Sequence, residues 1–147
     1  MNSMDRIQIT EKVRSAADKY GPSNPQQLKQ LTFIFKKSSS RELFFGLFAF
    51  FYDSTLQENV HDRQKLAGVL LLETSPSCPL QLDGCIFASA QYWDLSVEEL
   101  PWYLCKMFSK SAVIPLLDEL ITECDEKLSR NLKTMLFWSK GYENKDT

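Results

Sequence analysis

Apolar residues recur at helical spacing along most of the chain, and short polar or proline- and glycine-bearing interruptions divide them. Ile7, Ile9, Val13, Ala16, Ala17 and Tyr20 form a first stripe, which Gly21-Pro22 ends: glycine accepts a left-handed cap and proline cannot continue the ladder. A second helix opens at Asn24-Pro25-Gln26-Gln27, with Asn24 as cap, Pro25 at the first helical position and Gln27 where a capping box wants it. Its face is Leu28, Leu31 and Phe35, with Ile34 beside it. Lys36 to Ser40 interrupt, and Ser39 with Glu42 predicts a capping box into a third helix over residues 41–53.

Residues 43–52 of that helix are apolar around the whole circumference. A bilayer core needs about 20 such residues, whereas this run has ten. It predicts a helix buried on all sides and surrounded by other helices. Leu, Gly and Ala break the alternation that a strand would need.

A fourth helix is expected over residues 58–73 with Leu66, Ala67, Val69, Leu70 and Leu72 inward, followed by a turn-rich linker through Pro76 and Cys78. Pro79 is read as opening a fifth, with Leu80, Leu82, Cys85, Ile86, Ser89 and Trp93 on one face. Ser96 with Glu99 suggests another capping box, and Pro101 a kink or restart after it, because its ring crowds the Val97 carbonyl. A sixth helix carries Trp102, Cys105 and Phe108. A seventh spans residues 112–124 with Pro115 in its first turn, and an eighth spans 125–140 and closes on Gly141. Residues 143–147 read as a polar, frayed end.

The expectation is therefore an all-α fold of seven or eight helices in antiparallel pairs, one domain over residues 1–147. Five Gly and an apolar share of 44% agree with a helical globular chain. Leu28, Lys65 and Trp102 open one member of successive pairs at a period of 37 residues, and Arg41 and Pro79 open the next. On these positions residues 24–140 resemble a short HEAT-like or armadillo-like stack of helix pairs, an αα-superhelix. The resemblance implies a binding scaffold without chemistry of its own, with its ligand held on a concave helical face. A compact helical bundle is the alternative.

Charge changes the picture more than composition does. The net charge is −2, but residues 1–52 carry eight basic and four acidic groups, residues 53–126 four basic and thirteen acidic, and residues 127–147 five basic and two acidic. The acidic middle points to a basic partner. Residues 1–10 lack the apolar core of a secretory signal, which reads as a cytoplasmic protein. Cys78, Cys85, Cys105 and Cys124 include no CxxC pair and read as reduced thiols. Cys78 and Cys85 flank Pro79 and Gly84 and could approach one another, at a spacing that matches no common zinc or redox motif.

Candidate chemistry is sparse. His61 is the only histidine, so no two-histidine relay or His-based metal site can be assembled within one chain. Glu98 and Glu99 point about 100° apart on a helix and sit where the macrodipole favours acids. Asp118, Glu119 and Glu123 differ, because they lie in the middle and last turns of their helix, where carboxylates oppose the dipole and Glu119 repels Glu123. They read either as a solvated face neutralised by Lys127 or Arg130, or as a docking surface. Lys29, Lys36, Lys37 and Arg41 around Phe33 and Phe35 make a weak nucleic-acid footprint at a pI near 5.5. No phosphate-binding, nucleophile-elbow or zinc-protease motif occurs.

These features lead to a non-enzymatic interaction protein without a cofactor, metal site or membrane span. It would hold a basic protein partner through Asp118, Glu119, Glu123, Asp94 and Glu98, as an immunity-type or inhibitor protein covering a basic toxin would. The alternatives are a small-ligand or enzymatic pocket under the aromatic corner of Tyr92, Trp93, Trp102 and Tyr103, and a structural homo-oligomer.

Overall fold

Capping side chains set most helix starts. The computed structural model describes residues 3–143, in which α1 (Arg6–Tyr20) begins after Asp5. The Asp5 carboxylate accepts from the Gln8 amide while the Asp5 N–H donates to Gln8 Oε1. Asn24 caps α2 (Pro25–Phe35) by accepting from the Gln27 amide, and Asp125 caps α8 (Glu126–Lys140) by accepting from the Leu128 amide. Ser39 caps α3 (Ser40–Phe48) in the same way through the Glu42 amide. Glu42 does not return the bond. Its carboxylate turns instead to α1, where it accepts from the Arg6 amide and guanidinium. Between these elements lie α4 (Val60–Thr74), α5 (Leu82–Ala90), α6 (Glu99–Phe108) and α7 (Lys110–Glu123). No strand occurs among the described residues, so the chain is all-α, and no helix among them is long and apolar enough to cross a membrane.

Several expected details are corrected. The apolar run is α3 followed by a 3₁₀ turn over Ala49–Phe51, and its burial is incomplete at two rings. Tyr52 is 40% exposed, and Phe45 is half-buried beneath Arg6 and Arg41, whose guanidinium carbons stand 4.4 and 5.1 Å from the ring centre. Pro79 does not open α5. It lies in an extended linker over residues 76–81, held by the Tyr103 hydroxyl donating to the Pro76 carbonyl and the Ser77 amide donating to Ser40 Oγ. There is no restart at Pro101, because α6 begins only at Glu99 and the proline falls in its first turn, where no intrahelical N–H is needed. Ser96 caps nothing. It is held by Asp94, which accepts from both its amide and its hydroxyl. In α7 the opposite shift occurs: the helix starts at Lys110, so Pro115 sits inside it and deprives the exposed Ser111 carbonyl of a donor. The polar end expected over residues 143–147 lies outside the described residues from 144 onward.

The helices other than α7, which packs on α6 and α8, form two rows. In one, α2 packs on α4, α4 on α6 and α6 on α8; in the other, α1 packs on α3 and the turn after α3 packs on α5. Hydrogen bonds between successive members of a row keep a nearly constant sequence offset. From α1 to α3 it is 36 residues, as Arg6 meets Glu42 and Thr10 Oγ1 donates to the Gly46 carbonyl. From α4 to α6 it is 34, as Lys65 meets Glu99 and the Lys106 ammonium donates to the Leu72 carbonyl. A fixed offset means that the members of a row run parallel. Buried residues from all eight helices join one apolar cluster, with Phe44, Phe48, Leu70 and Tyr103 among its fully buried members.

Candidate functional site

Asp118, Glu119 and Glu123 are exposed on the arc of α7 opposite Val113, Leu117 and Leu120, which are buried. Among the described residues no cation stands within ion-pair distance of any of the three. The neutralisation considered for this face does not form: Arg130 lies 3.8 Å from Glu126 instead, within α8, and Lys127 is exposed. Three carboxylates therefore face solvent in the half of a helix where the macrodipole opposes them, at a cost of a few tenths of a kcal/mol each.

Asp94 and Glu98 are placed differently. Both lie between α5 and α6 and turn toward α4. Asp94 Oδ1 accepts from the Ser96 hydroxyl at 2.7 Å, and its Oδ2 lies 3.5 Å from His61 Nδ1. Burial pushes the Asp94 carboxyl up, but the Ser96 hydrogen bonds and His61 outweigh it and hold it below the usual carboxylate range. Glu98 and Glu99 both meet the Lys65 ammonium, at 3.4 and 2.7 Å. Burial disfavours the Lys65 charge, and Glu99 with Glu98 outweighs that effect, raising the ammonium above its ordinary range. The two acids are thus engaged within the chain, and no hydrogen bond or ion pair joins them to the α7 group.

Ser96, His61 and Asp94 have the residue types of a hydrolase triad without its geometry. Ser96 Oγ (3.2 Å) and Asp94 both approach the same ring nitrogen, Nδ1, so the imidazole cannot take a proton from the serine on one side while the carboxylate orients the other. His61 is more than half exposed at the second position of α4. These contacts tie the α5–α6 connection to the start of α4. Among the described residues no three His, Cys, Asp or Glu side chains gather into a group able to hold a metal.

The aromatic corner divides. Trp93 and Tyr103 are buried, with Trp93 Nε1 donating to the Val97 carbonyl, so both rings belong to the core. Trp102 is half-buried, donates to the Trp138 carbonyl, and borders an open groove of about 450 Å³ with Leu72, Lys106 and Tyr142. Neither His61 nor Cys105 lines it. In the basic cluster, Phe35 is core while Phe33 is 65% exposed under the Lys37 ammonium at 4.9 Å.

Comparison with protein-family models, with curated protein sequences and with solved structures finds no match.

Two polar features escaped the sequence reading. Arg63, 5% exposed, donates through Nε and Nη2 to both oxygens of Asp18 on α1. Gln64, 1% exposed, bridges three backbone groups of other elements. Both belong to the first two turns of α4, where one turn of phase decides burial, and a polar residue there ordinarily signals the solvent face. The approach that the sequence left open to Cys78 and Cys85 does form: their Sγ atoms stand 3.3 Å apart.

Proposed function

We propose that the chain is a helical-repeat interaction scaffold that holds a basic protein partner on the outer face of α7. Its role is non-enzymatic and cytoplasmic, of the inhibitor or immunity type. The observation that carries this reading is the set of three exposed carboxylates without a cation among the described residues. A chain that gains no folding stability from this arrangement gains a complementary surface from it, which steers association and discriminates between partners. The parallel rows with their constant offset support the kinship with HEAT-like stacks, in which helices are a platform rather than a catalyst. Asp94 and Glu98 have intramolecular duties and contribute through the stability of the platform.

The test is charge reversal. Asp118→Lys, Glu119→Lys and Glu123→Lys together should leave the helical circular dichroism intact while abolishing capture of basic proteins from native extract. Capture by the unaltered chain should fall steeply with added salt. Undiminished capture by the reversed variant would overturn the reading.

A second reading rests on the groove beside Trp102, lined by Leu72, Tyr142, the Lys106 ammonium and the Glu73 and Glu143 carboxylates. Displacement of a hydrophobic dye that depends on Trp102 would favour a small-molecule ligand there. Light scattering separates either reading from a homo-oligomer.

A further inference from the structure

The sulfur pair lies in a fixed setting. Cys78 sits in the 76–81 linker, whose backbone is tied to α6 through Tyr103 and to α3 through Ser40, at 2.6 Å in each case. Cys85 sits in the first turn of α5, with its amide bonded to the Gln81 carbonyl and no exposed surface. Cys78 is half-buried and its thiol also lies 3.5 Å from the Leu80 carbonyl. The sulfurs are 3.3 Å apart, so closing to the roughly 2.05 Å of a disulfide needs a movement of only about 1.3 Å. Six residues separate the two cysteines, too many for a CxxC motif and too few to be a chance encounter of distant elements. The remaining thiols, on Cys105 and Cys124, are in other helices or beyond them.

We propose that Cys78 and Cys85 are a reversible dithiol–disulfide couple oxidised by hydroperoxides, with Cys78 as the attacking sulfur and Cys85 as the resolving one. The assignment of roles follows from exposure and hydrogen bonding. Cys78 is reachable from solvent, whereas Cys85 is not. A hydrogen bond from the Cys85 thiol stabilises the Cys78 thiolate against the opposing effect of burial, lowering that thiol to about 7. The same bond and burial push Cys85 up, so it keeps its proton until it is needed.

The chemistry balances in two steps. The Cys78 thiolate attacks the terminal oxygen of the hydroperoxide, the O–O bond breaks, and the leaving alkoxide takes a proton from solvent. Cys78 is then a sulfenic acid. The Cys85 sulfur attacks the Cys78 sulfur, the S–O bond breaks, and the departing hydroxide leaves as water with the Cys85 proton. Two thiols are oxidised by two electrons and one hydroperoxide is reduced to an alcohol and water. The new bond draws Cys78 toward α5 and pulls on the linker that Tyr103 and Ser40 anchor. A thiol reductant reverses it. This inference is independent of the proposed partner.

The experiment uses the full chain and hydrogen peroxide, followed by thiol alkylation, intact mass and peptide mapping. The expected result is loss of two of the four thiols, a mass lower by two hydrogens, a linked Cys78–Cys85 peptide, and recovery of all four thiols with dithiothreitol. Cys85→Ser should stop at the sulfenic acid, trapped on Cys78 by dimedone. Cys78→Ser should slow oxidation of Cys85 by about tenfold or more. Four thiols still alkylated after peroxide, or a bond through Cys105, Cys124 or a second chain, would overturn the proposal. The mapping of the unaltered chain decides it even if a serine variant folds poorly.

Discussion

Gly46 offers bare backbone to Ile9: a Cβ at position 46 would stand 2.6 Å from the Ile9 Cγ2 and 2.7 Å from its Cβ. This contact lets α3 lie close enough to α1 for the Gly46 carbonyl to accept from Thr10 Oγ1 at 2.8 Å. A similar approach recurs between α4 and α6, where a Cβ on Gly68 would meet the Glu99 Cβ at 2.8 Å. Gly46→Ala gains about 1 kcal/mol of helix propensity and loses more, because the Ile9 Cβ cannot turn aside and overpacking costs about 1 to 3 kcal/mol. A lower urea midpoint, by the equivalent of up to about 2 kcal/mol, is expected. Gly84→Ala is the contrast: nothing lies within 4 Å of its added Cβ, its φ is not positive, and it sits inside α5. That substitution should raise the midpoint by about 0.5 to 1 kcal/mol. Equal shifts in the two variants would contradict the close approach.

Phe48 is fully buried and stacks on Phe44 with ring centres 4.9 Å apart. Phe48→Ala should therefore cost about 3 to 5 kcal/mol, a large part of an ordinary domain's stability. Denaturant unfolding measures it, and a loss below about 1 kcal/mol would show that the ring's site collapses or was never enclosed.

Helix positions were legible where capping chemistry and apolar period agreed, as at Asn24 and Ser39. They were misread where one local signal stood alone. Pro79 suits a helix start, but tertiary bonds from Ser40 and Tyr103 stretch the linker instead. Ser96 and Glu99 have capping-box spacing, yet Asp94 captures the serine first. In the candidate site, the α7 acids were legible because their cost to the helix is a property of position along one element. The engagement of Asp94 and Glu98 by His61 and Lys65 was not, since it depends on how α4 meets α6, whereas the approach of Cys78 to Cys85 could be read from their short separation around Pro79 and Gly84.

Asp18 and Arg63 tie α1 to α4 at 2.8 Å. The Arg63 hydrogen bonds lower the Asp18 carboxyl from its ordinary 3.8 to about 2, with burial opposing them. A depressed carboxyl stabilises the fold fully above its unfolded value and loses that contribution as pH falls from 3.8 through about 2. Because the Asp18 side chain is 35% exposed, solvent screening reduces the effect to the order of 1 kcal/mol. Asp18→Asn should be less stable than the unaltered chain at neutral pH, and the difference in urea midpoint should narrow as the solution is acidified through that window. A difference of constant size would mean that the pair contributes by shape alone.

Gln64 joins three elements through one amide. Its Nε2 donates to the Phe50 carbonyl at 3.2 Å and to the Tyr92 carbonyl at 2.8 Å, while its Oε1 accepts from the Asp94 amide at 2.7 Å. The 3₁₀ turn after α3 and the chain leaving α5 thus both use α4 for backbone groups that helix termini leave unpaired. Gln64→Leu fills the same space but strands the Tyr92 carbonyl and the Asp94 amide, while the Phe50 carbonyl keeps a bond from Gln57 Nε2, at about 2 to 4 kcal/mol. Gln64→Glu separates shape from donor chemistry more sharply. An ionised carboxylate would face two carbonyl oxygens in a buried site, so its folded pKa must rise and the charged form must destabilise the fold. Stability of Gln64→Glu should then increase on acidification from neutral pH, as the acid regains a proton to donate, opposite in sign to the Asp18 effect. A urea midpoint for Gln64→Glu that is unchanged or falls over that range would show that the amide's donors are not what holds the three elements together.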